Sequence, residues 1–136
     1  MKQREIKFRA WDGEKMRTDF YLMPDGRAWF LILDGTIHYT DWKVTQYTGL
    51  KDRNGREIYE GDIVKWGHIE GGLERPVRIA EVRIGAQVEF VSRQNGVVRK
   101  GEEEYRFGYG TFAYRDTERW LEVIGNVFEN PELLEA

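Results

Sequence analysis

Cysteine is absent from this 136-residue chain, which removes disulfides, thiolate metal ligands and cysteine nucleophiles together. Histidine occurs only at His38 and His68, at no metal-ligand spacing, and the single serine, Ser92, falls inside a strand-like run. Neither a histidine-held metal nor a histidine-dependent serine triad is expected. No phosphate-cradling glycine loop or nucleophile elbow is present. No apolar run approaches the roughly 20 residues that span a bilayer, and MKQREIKFRAW lacks the apolar stretch of a secretion signal. Basic excess is missing too: 21 basic and 24 acidic residues give a net charge of −3, unlike a general DNA binder. These absences predict a cytoplasmic protein with no membrane partner, no cofactor and no metal.

What is present is β-pattern. Aromatic residues make up 14% of the chain, enough to build a core without staples at this length. In REIKFRAW, residues 4–11, Ile6, Phe8 and Ala10 alternate with Glu5, Lys7 and Arg9, the period of a half-buried strand with a solvated outer face. Trp11 is out of phase with the inner row. Pro24-Asp25-Gly26 is a turn, Ala28 to Leu33 (AWFLIL) an apolar run, and Asp34-Gly35 a reversal into TIHY. Further on, DIVKW, PVRIAEVRI, QVEFVS, VVRK, YRFGYGTFAY and WLEVIGNVFE follow one another between glycine turns, as in a barrel or rolled sheet. The apolar phase shifts between Ile79 and Ala80, predicting a bulge there. Gly67 to Glu74 (GHIEGGLE) is the best candidate for a flexible loop. Asn130-Pro131-Glu132 reads as a cap, a first-turn proline and an acid, predicting one short closing helical turn.

The densest stretch is QYTGLKDRNGREIYEGDIV, residues 46–64. A two-residue Asn54-Gly55 hairpin would oppose Arg53 with Arg56 and Asp52 with Glu57, like charges in both pairs. A type I turn beginning at Asp52, with Gly55 left-handed in a G1 bulge, instead opposes Lys51 with Glu57 and Leu50 with Ile58. The second register is expected. A calcium loop is excluded, because glycine falls fourth from Asp52 and the twelfth residue is Ile63.

REIKFRAWD, QYTGLKDRNGREIYEGDIV and EVIGNVFENPELL together closely resemble the YopX family of small phage- and prophage-encoded proteins. The resemblance covers both ends and the middle of the chain; residues 67–116 match in general character. It implies a mostly β fold with an SH3-like barrel component, and it carries no catalytic residue onto this chain.

The remaining constellations are weak. Glu60 and Asp62, and the run Glu102 to Glu104, are carboxylates that a turn or a solvated face explains better than acid–base chemistry. FGYGTFAY, residues 107–114, departs from an RNA-recognition motif at Phe107 and Thr111, and the helices of that module are missing. Tyr105, Arg106, Tyr109, Phe112 and Tyr114 remain a candidate stacking surface for single-stranded nucleic acid.

The sequence thus predicts an all-β protein. It has an N-terminal β-subdomain over residues 1–43, a small SH3-like barrel over 44–128 and a short helical tail over 129–136. No catalytic set is found, so the expected role is a non-catalytic interaction module. Its partner would be a host or phage protein or a second copy of itself, with nucleic acid the less favoured alternative. The candidate surface is the hairpin with its neighbours: Tyr47, Asp52, Arg53, Asn54, Arg56, Tyr59 and Trp66.

Overall fold

Strand-forming residues punctuated by Asp-Gly and Asn-Gly produce fourteen short strands in the computed structural model, which describes residues 6–66, 69–70, 73–74, 78–84, 88–92, 105–108 and 121–134. The fold is all-β. Among the described residues the helical content is one 3₁₀ turn, Pro131–Leu134, and no helix is long and apolar enough to cross a membrane. The chain divides into two compact units, Met1–Tyr47 and Thr48–Ala136.

In the first unit, β1 (Phe8–Trp11) pairs antiparallel with β2 (Met16–Arg17) and with the start of β6 (Lys43–Lys51). The β1–β2 turn is held by Asp12, whose Oδ1 accepts the amides of Glu14 (2.7 Å) and Lys15 (2.8 Å). That is how a short carboxylate imitates a turn's main chain. A separate antiparallel sheet has the order β3 (Tyr21–Leu22), β4 (Ala28–Leu31), β5 (Ile37–Tyr39). It is anchored where Thr40 donates both its amide (3.0 Å) and its hydroxyl (2.8 Å) to the carbonyl of buried Ala28.

The solvated outer face expected for β1 is not observed. Arg9 is buried and Ile6, expected inside, is exposed. The strand begins only at Phe8, leaving Ile6 outside the ladder. Arg9 pairs with Thr45, also buried, while Ala10 pairs with Val44 and Arg17, so both faces of β1 are covered.

The second unit holds the remainder of β6, β7 (Glu57–Tyr59) beside it, and a five-stranded antiparallel sheet. The sheet runs in the order β13 (Tyr105–Gly108), β12 (Val88–Ser92), β11 (Arg78–Ile84), β8 (Asp62–Trp66), β14 (Glu122–Asn126), and it curls into a half-barrel. Ile58, Val64, Ala80, Val82, Phe90, Leu121 and Val123 fill the concave side, with Leu50 and Val88 against them. Each fully buried Ile, Val, Leu or Phe among them contributes roughly 1.5–3 kcal/mol. Ile63 and Val91, adjacent to core residues, are buried on the other face, and the 3₁₀ turn with buried Leu134 packs on β11. Both faces of the central strands are therefore covered, which is why PVRIAEVRI shows no clean alternation.

Two expectations are corrected in this unit. The ladder between β11 and β8 runs without a break from Arg78 to Glu81, so no bulge separates Ile79 from Ala80. The irregularity lies on β14, between Val123 and Gly125. The glycine-rich segment expected as a loop instead contains a two-stranded antiparallel pair, β9 (Ile69–Glu70) with β10 (Leu73–Glu74). The hairpin signal at Arg93 to Gly96 and the strand VVRK lie outside the described residues.

Gly125 is required by the bulge. A Cβ there would lie 2.5 Å from Asn130 Oδ1 and 3.0 Å from Asn130 Cβ, too close to relieve by moving the amide tip alone. Gly125→Ala is expected to cost about 1–3 kcal/mol through overpacking, read as a lower urea midpoint at unchanged slope.

Candidate interaction surface

One turn design closes three of the hairpins. Met23, Ile32 and Asp52 each donate their amide to the residue four ahead (Arg27 2.8 Å, Thr36 3.1 Å, Arg56 2.8 Å). Each also accepts the amide of a glycine three ahead, Gly26, Gly35 or Gly55, whose φ values are 89°, 85° and 77°. This is the type I turn with a G1 bulge, and only glycine enters that left-handed position freely. The register expected for the Asp52 hairpin is therefore the observed one, and the turns at Gly26 and Gly35 obey the same rule.

The hairpin candidates separate by burial. Tyr47 is 4% exposed and Asp52 1% exposed, so neither offers a surface. Tyr47 donates its amide to Lys7 O (2.8 Å), and the Lys7 ammonium lies 5.7 Å from its ring centre. Asp52 is a structural hub. Its Oδ1 accepts the amides of Asn54 and Arg56 (2.9 Å each) and its Oδ2 accepts the amide of Val123 (2.9 Å). Arg53, Asn54 and Arg56 are exposed, and Tyr59 is half-buried with its hydroxyl donating to Glu57 (3.3 Å). Trp66 ends β8 opposite Arg78. Of the nucleic-acid candidates, Tyr105 and Arg106 lie on β13 opposite Ser92 and Val91; Tyr109, Phe112 and Tyr114 are outside the described residues.

The carboxylate candidates are engaged by main chain. Asp62 is buried and accepts the amide of Tyr59 (2.8 Å), and Glu60 accepts that of Ile84 (3.4 Å). Glu102 to Glu104 fall outside the described residues. Among the described residues no three acidic, histidine or cysteine side chains gather in a way that could hold a metal. His38 is exposed and stacks on Phe30, centroids 5.4 Å apart.

The surface that the structure exposes instead is the β3–β5 sheet. Ladder partners share a face. Tyr21, Trp29 and Tyr39 therefore form one row across the three strands, and Leu31 and Ile37 form the next. Tyr39 is 60% exposed and Leu31 52%, and Ile32 and Leu33 project from the turn between β4 and β5. The Tyr21 and Trp29 rings stack on each other at 4.7 Å, so one face of each is used within the protein. On the opposite face Phe30 stacks with His38 and Trp42, and Phe20 meets Trp42 edge-on. Open grooves flank the sheet, one bounded by His38, Tyr39 and Trp42, the other by Phe20, Tyr21 and Phe30.

Charge at the border of this sheet is internally neutralised. Arg27 pairs with Asp25 (2.7 Å) and lies 5.9 Å from the Tyr39 ring centre. Arg17 makes two parallel 2.8 Å bonds to Asp19, a third to Asp12 (3.3 Å), and lies 5.0 Å from the Trp42 ring centre. The Arg17 hydrogen bonds pull Asp19 down to about 2 from its ordinary 3.8. The stabilisation Asp19 contributes is therefore complete above its unfolded value and is lost as pH falls through about 2. A carboxyl-carbon NMR titration should place Asp19 near 2 in the native chain. Arg17→Ala should return it toward 3.8.

Sequence reasoning identifies AWFLIL as an apolar run but does not single out this sheet as a surface. The signal was there: apolar residues at consecutive positions leave both faces apolar, and a three-stranded sheet of this size cannot cover both.

Comparison with known proteins gives a family and a fold. The family model described as "YopX protein" matches residues 31–135. Among solved structures, protein EF1440 from Enterococcus faecalis is similar over 98% of this chain and all of its own, with a TM-score of 0.56 and 24% identity. At that identity the likeness speaks for the fold alone. No curated protein matches.

Proposed function

The chain belongs to the YopX family, and from that premise we propose that it is a non-catalytic protein-interaction module of phage or prophage origin, acting in the bacterial cytoplasm. The curled sheet of its second unit is read as an SH3-like barrel that serves as scaffold. The contact surface is the apolar face of β3–β5.

The carrying observation is the concentration of exposed large apolar side chains there. Tyr21, Leu31, Ile37 and Tyr39 on that face, with Ile32 and Leu33 at its turn, all fall within nineteen residues of sequence. Exposed apolar surface on this scale marks an association site on a folded protein. The Asp52 hairpin has only the polar side chains of its turn to offer, and so contributes less. Binding to nucleic acid is disfavoured at this sheet, since both arginines at its border are paired with carboxylates.

The test is affinity capture from infected host lysate, with and without nuclease, comparing the native chain with Ile37→Lys. Retention of a protein that survives nuclease and is lost in the variant supports the proposal. Retention that vanishes with nuclease and is indifferent to the variant refutes it in favour of nucleic acid.

A further inference from the structure

We infer that β5 is an open sheet edge that binds an extended peptide strand with a basic residue at each end; this rests on the interaction reading above and names its mode and the class of partner. Hydrogen-bond parity and charge point to it.

The β4–β5 ladder fixes which main-chain groups point outward. Ile32 N–H donates to Thr36 O (3.1 Å) and Thr40 N–H to Ala28 O (3.0 Å), so both are hydrogen-bonded pairs. Bonded and non-bonded pairs alternate in an antiparallel ladder. Phe30 with His38 is therefore bonded, while Leu31 with Ile37 and Trp29 with Tyr39 are not. The N–H and C=O of Ile37 and Tyr39 consequently point away from β4. β5 ends its sheet, and among the described residues nothing bonds these four groups.

Other edges are spent differently. β3 holds two residues and runs on to Pro24, which has no N–H to offer. The outer side of β14 is taken by the Asp52 hairpin, through Arg53 N to Leu121 O and Val123 N to Asp52 Oδ2. On β7 the Tyr59 amide goes to Asp62. Residues 36–40, TIHYT, carry no lysine, no proline and no bulge that would turn an incoming strand away. Unpaired donors and acceptors in strand register are what a peptide adding to a sheet requires.

Charge selects the strand. Exposed carboxylates stand at both ends of the edge, Asp34 in the turn before β5 and Asp41 just after it, and neither is ion-paired. Arg27, near the Tyr39 ring, is matched by Asp25. Lys43, the next cation along the chain, lies opposite Trp11 in the β1–β6 ladder and makes no ion pair with Asp41. A second copy of β5, parallel or antiparallel, would bring its own Asp34 and Asp41 to the same two ends, and like charges oppose that pairing. A strand with a basic residue at each end meets opposite charge at both. Between them, its side chains on one face lie beside Ile37 and Tyr39, which calls for apolar residues at alternate positions.

The experiment titrates the full, isotope-labelled chain with a synthetic peptide, acetyl-KTVTVTVK-amide, whose lysines stand as far apart in sequence as Asp34 and Asp41, and follows amide exchange by NMR. The amides of Ile37 and Tyr39 should gain protection on binding, and more than that of His38, which already faces β4. Ile37→Pro removes one outward N–H, a change that a sheet edge tolerates, and should raise the dissociation constant about fivefold or more. Asp41→Lys, exposed and outside the strand, should weaken the lysine peptide and favour acetyl-ETVTVTVE-amide. A chain that binds neither peptide, protection spread evenly over Ile37, His38 and Tyr39, or binding indifferent to both variants overturns the inference. So does a native chain that self-associates and is made monomeric by Ile37→Pro, since the occupant is then a second copy. The capture experiment separates the two failures. Absent peptide binding, an Ile37→Lys variant that loses a nuclease-resistant protein leaves the interaction reading standing. A variant that captures the same proteins as the native chain overturns both.

Discussion

Asp52→Ala is expected to lower the stability of the second unit by about 3 kcal/mol, a fall of roughly 12–24 °C in Tm. The reason lies in what each carboxylate oxygen does. Oδ1 takes the amides of Asn54 and Arg56 in an exposed turn, where water can replace it at modest loss. Oδ2 reaches across to the amide of buried Val123, 71 residues away in sequence. The adjoining main chain adds a second tie, Arg53 N donating to Leu121 O (2.8 Å). With the carboxylate gone, the Val123 N–H is left in the interior without an acceptor. An unmet buried donor costs about 1–3 kcal/mol, and a hydrogen bond to a charged group is worth about 1.5–3. Asp52→Asn keeps one acceptor oxygen but must turn its NH₂ toward one of the amides, so an intermediate loss of about 1–2 kcal/mol is expected. Arg53→Ala, exposed and one residue away, should stay within about 0.5 kcal/mol. Urea unfolding of the three variants decides the matter: an Asp52→Ala midpoint beside that of Arg53→Ala would show that the tie to Val123 carries no weight.

That same residue marks the limit of what the sequence discloses. Its role in the turn is legible, because charge pairing across Lys51 and Glu57 and apolar pairing across Leu50 and Ile58 select one register, and the left-handed Gly55 follows from it. Its second role is not, since nothing local to Asp52 indicates that residue 123 will arrive above it. The β14 bulge is hidden for a similar reason. The phase of a strand covered on both faces carries little information, so Ile79-Ala80 imitated a bulge that β11 does not have, while the true one sits at a glycine accommodating Asn130. The glycine-rich Gly67 to Glu74 concealed a short hairpin because two-residue strands have no period to detect. The exposed sheet goes unassigned on a different ground. Hydrophobic pattern reports which residues avoid water and is silent on whether the chain itself supplies the cover. AWFLIL looks the same in a core and in a docking face, and only the small size of β3–β5 separates the two.

Gly61→Ala is expected to be the costliest alanine substitution among the glycine turns described, at about 2–3 kcal/mol, with two separable causes. The residue joins β7 to β8 at φ 88°, where an L-residue loses roughly 1–2 kcal/mol to its own backbone. It is also enclosed. Its amide donates to Val82 O and its carbonyl accepts from Val127 N, both at 2.8 Å, fixing it between β11 and the segment after β14. An added Cβ would stand 3.3 Å from Phe128 Cε2 and 3.5 Å from Val127 Cγ2, with neither hydrogen bond free to lengthen. Gly55 supplies the comparison: its φ is 77°, and a Cβ there meets nothing within 4 Å. Gly55→Ala should therefore show the backbone cost alone, about 1 kcal/mol, and Gly55→Asn less still, since asparagine tolerates the left-handed region. Gly61→Asn should recover at most the backbone share of the loss, because relief of the backbone does not move Phe128. Equal losses for alanine at the two positions would mean that the Phe128 wall yields freely, and that the junction ahead of β8 is set by its dihedral angle alone.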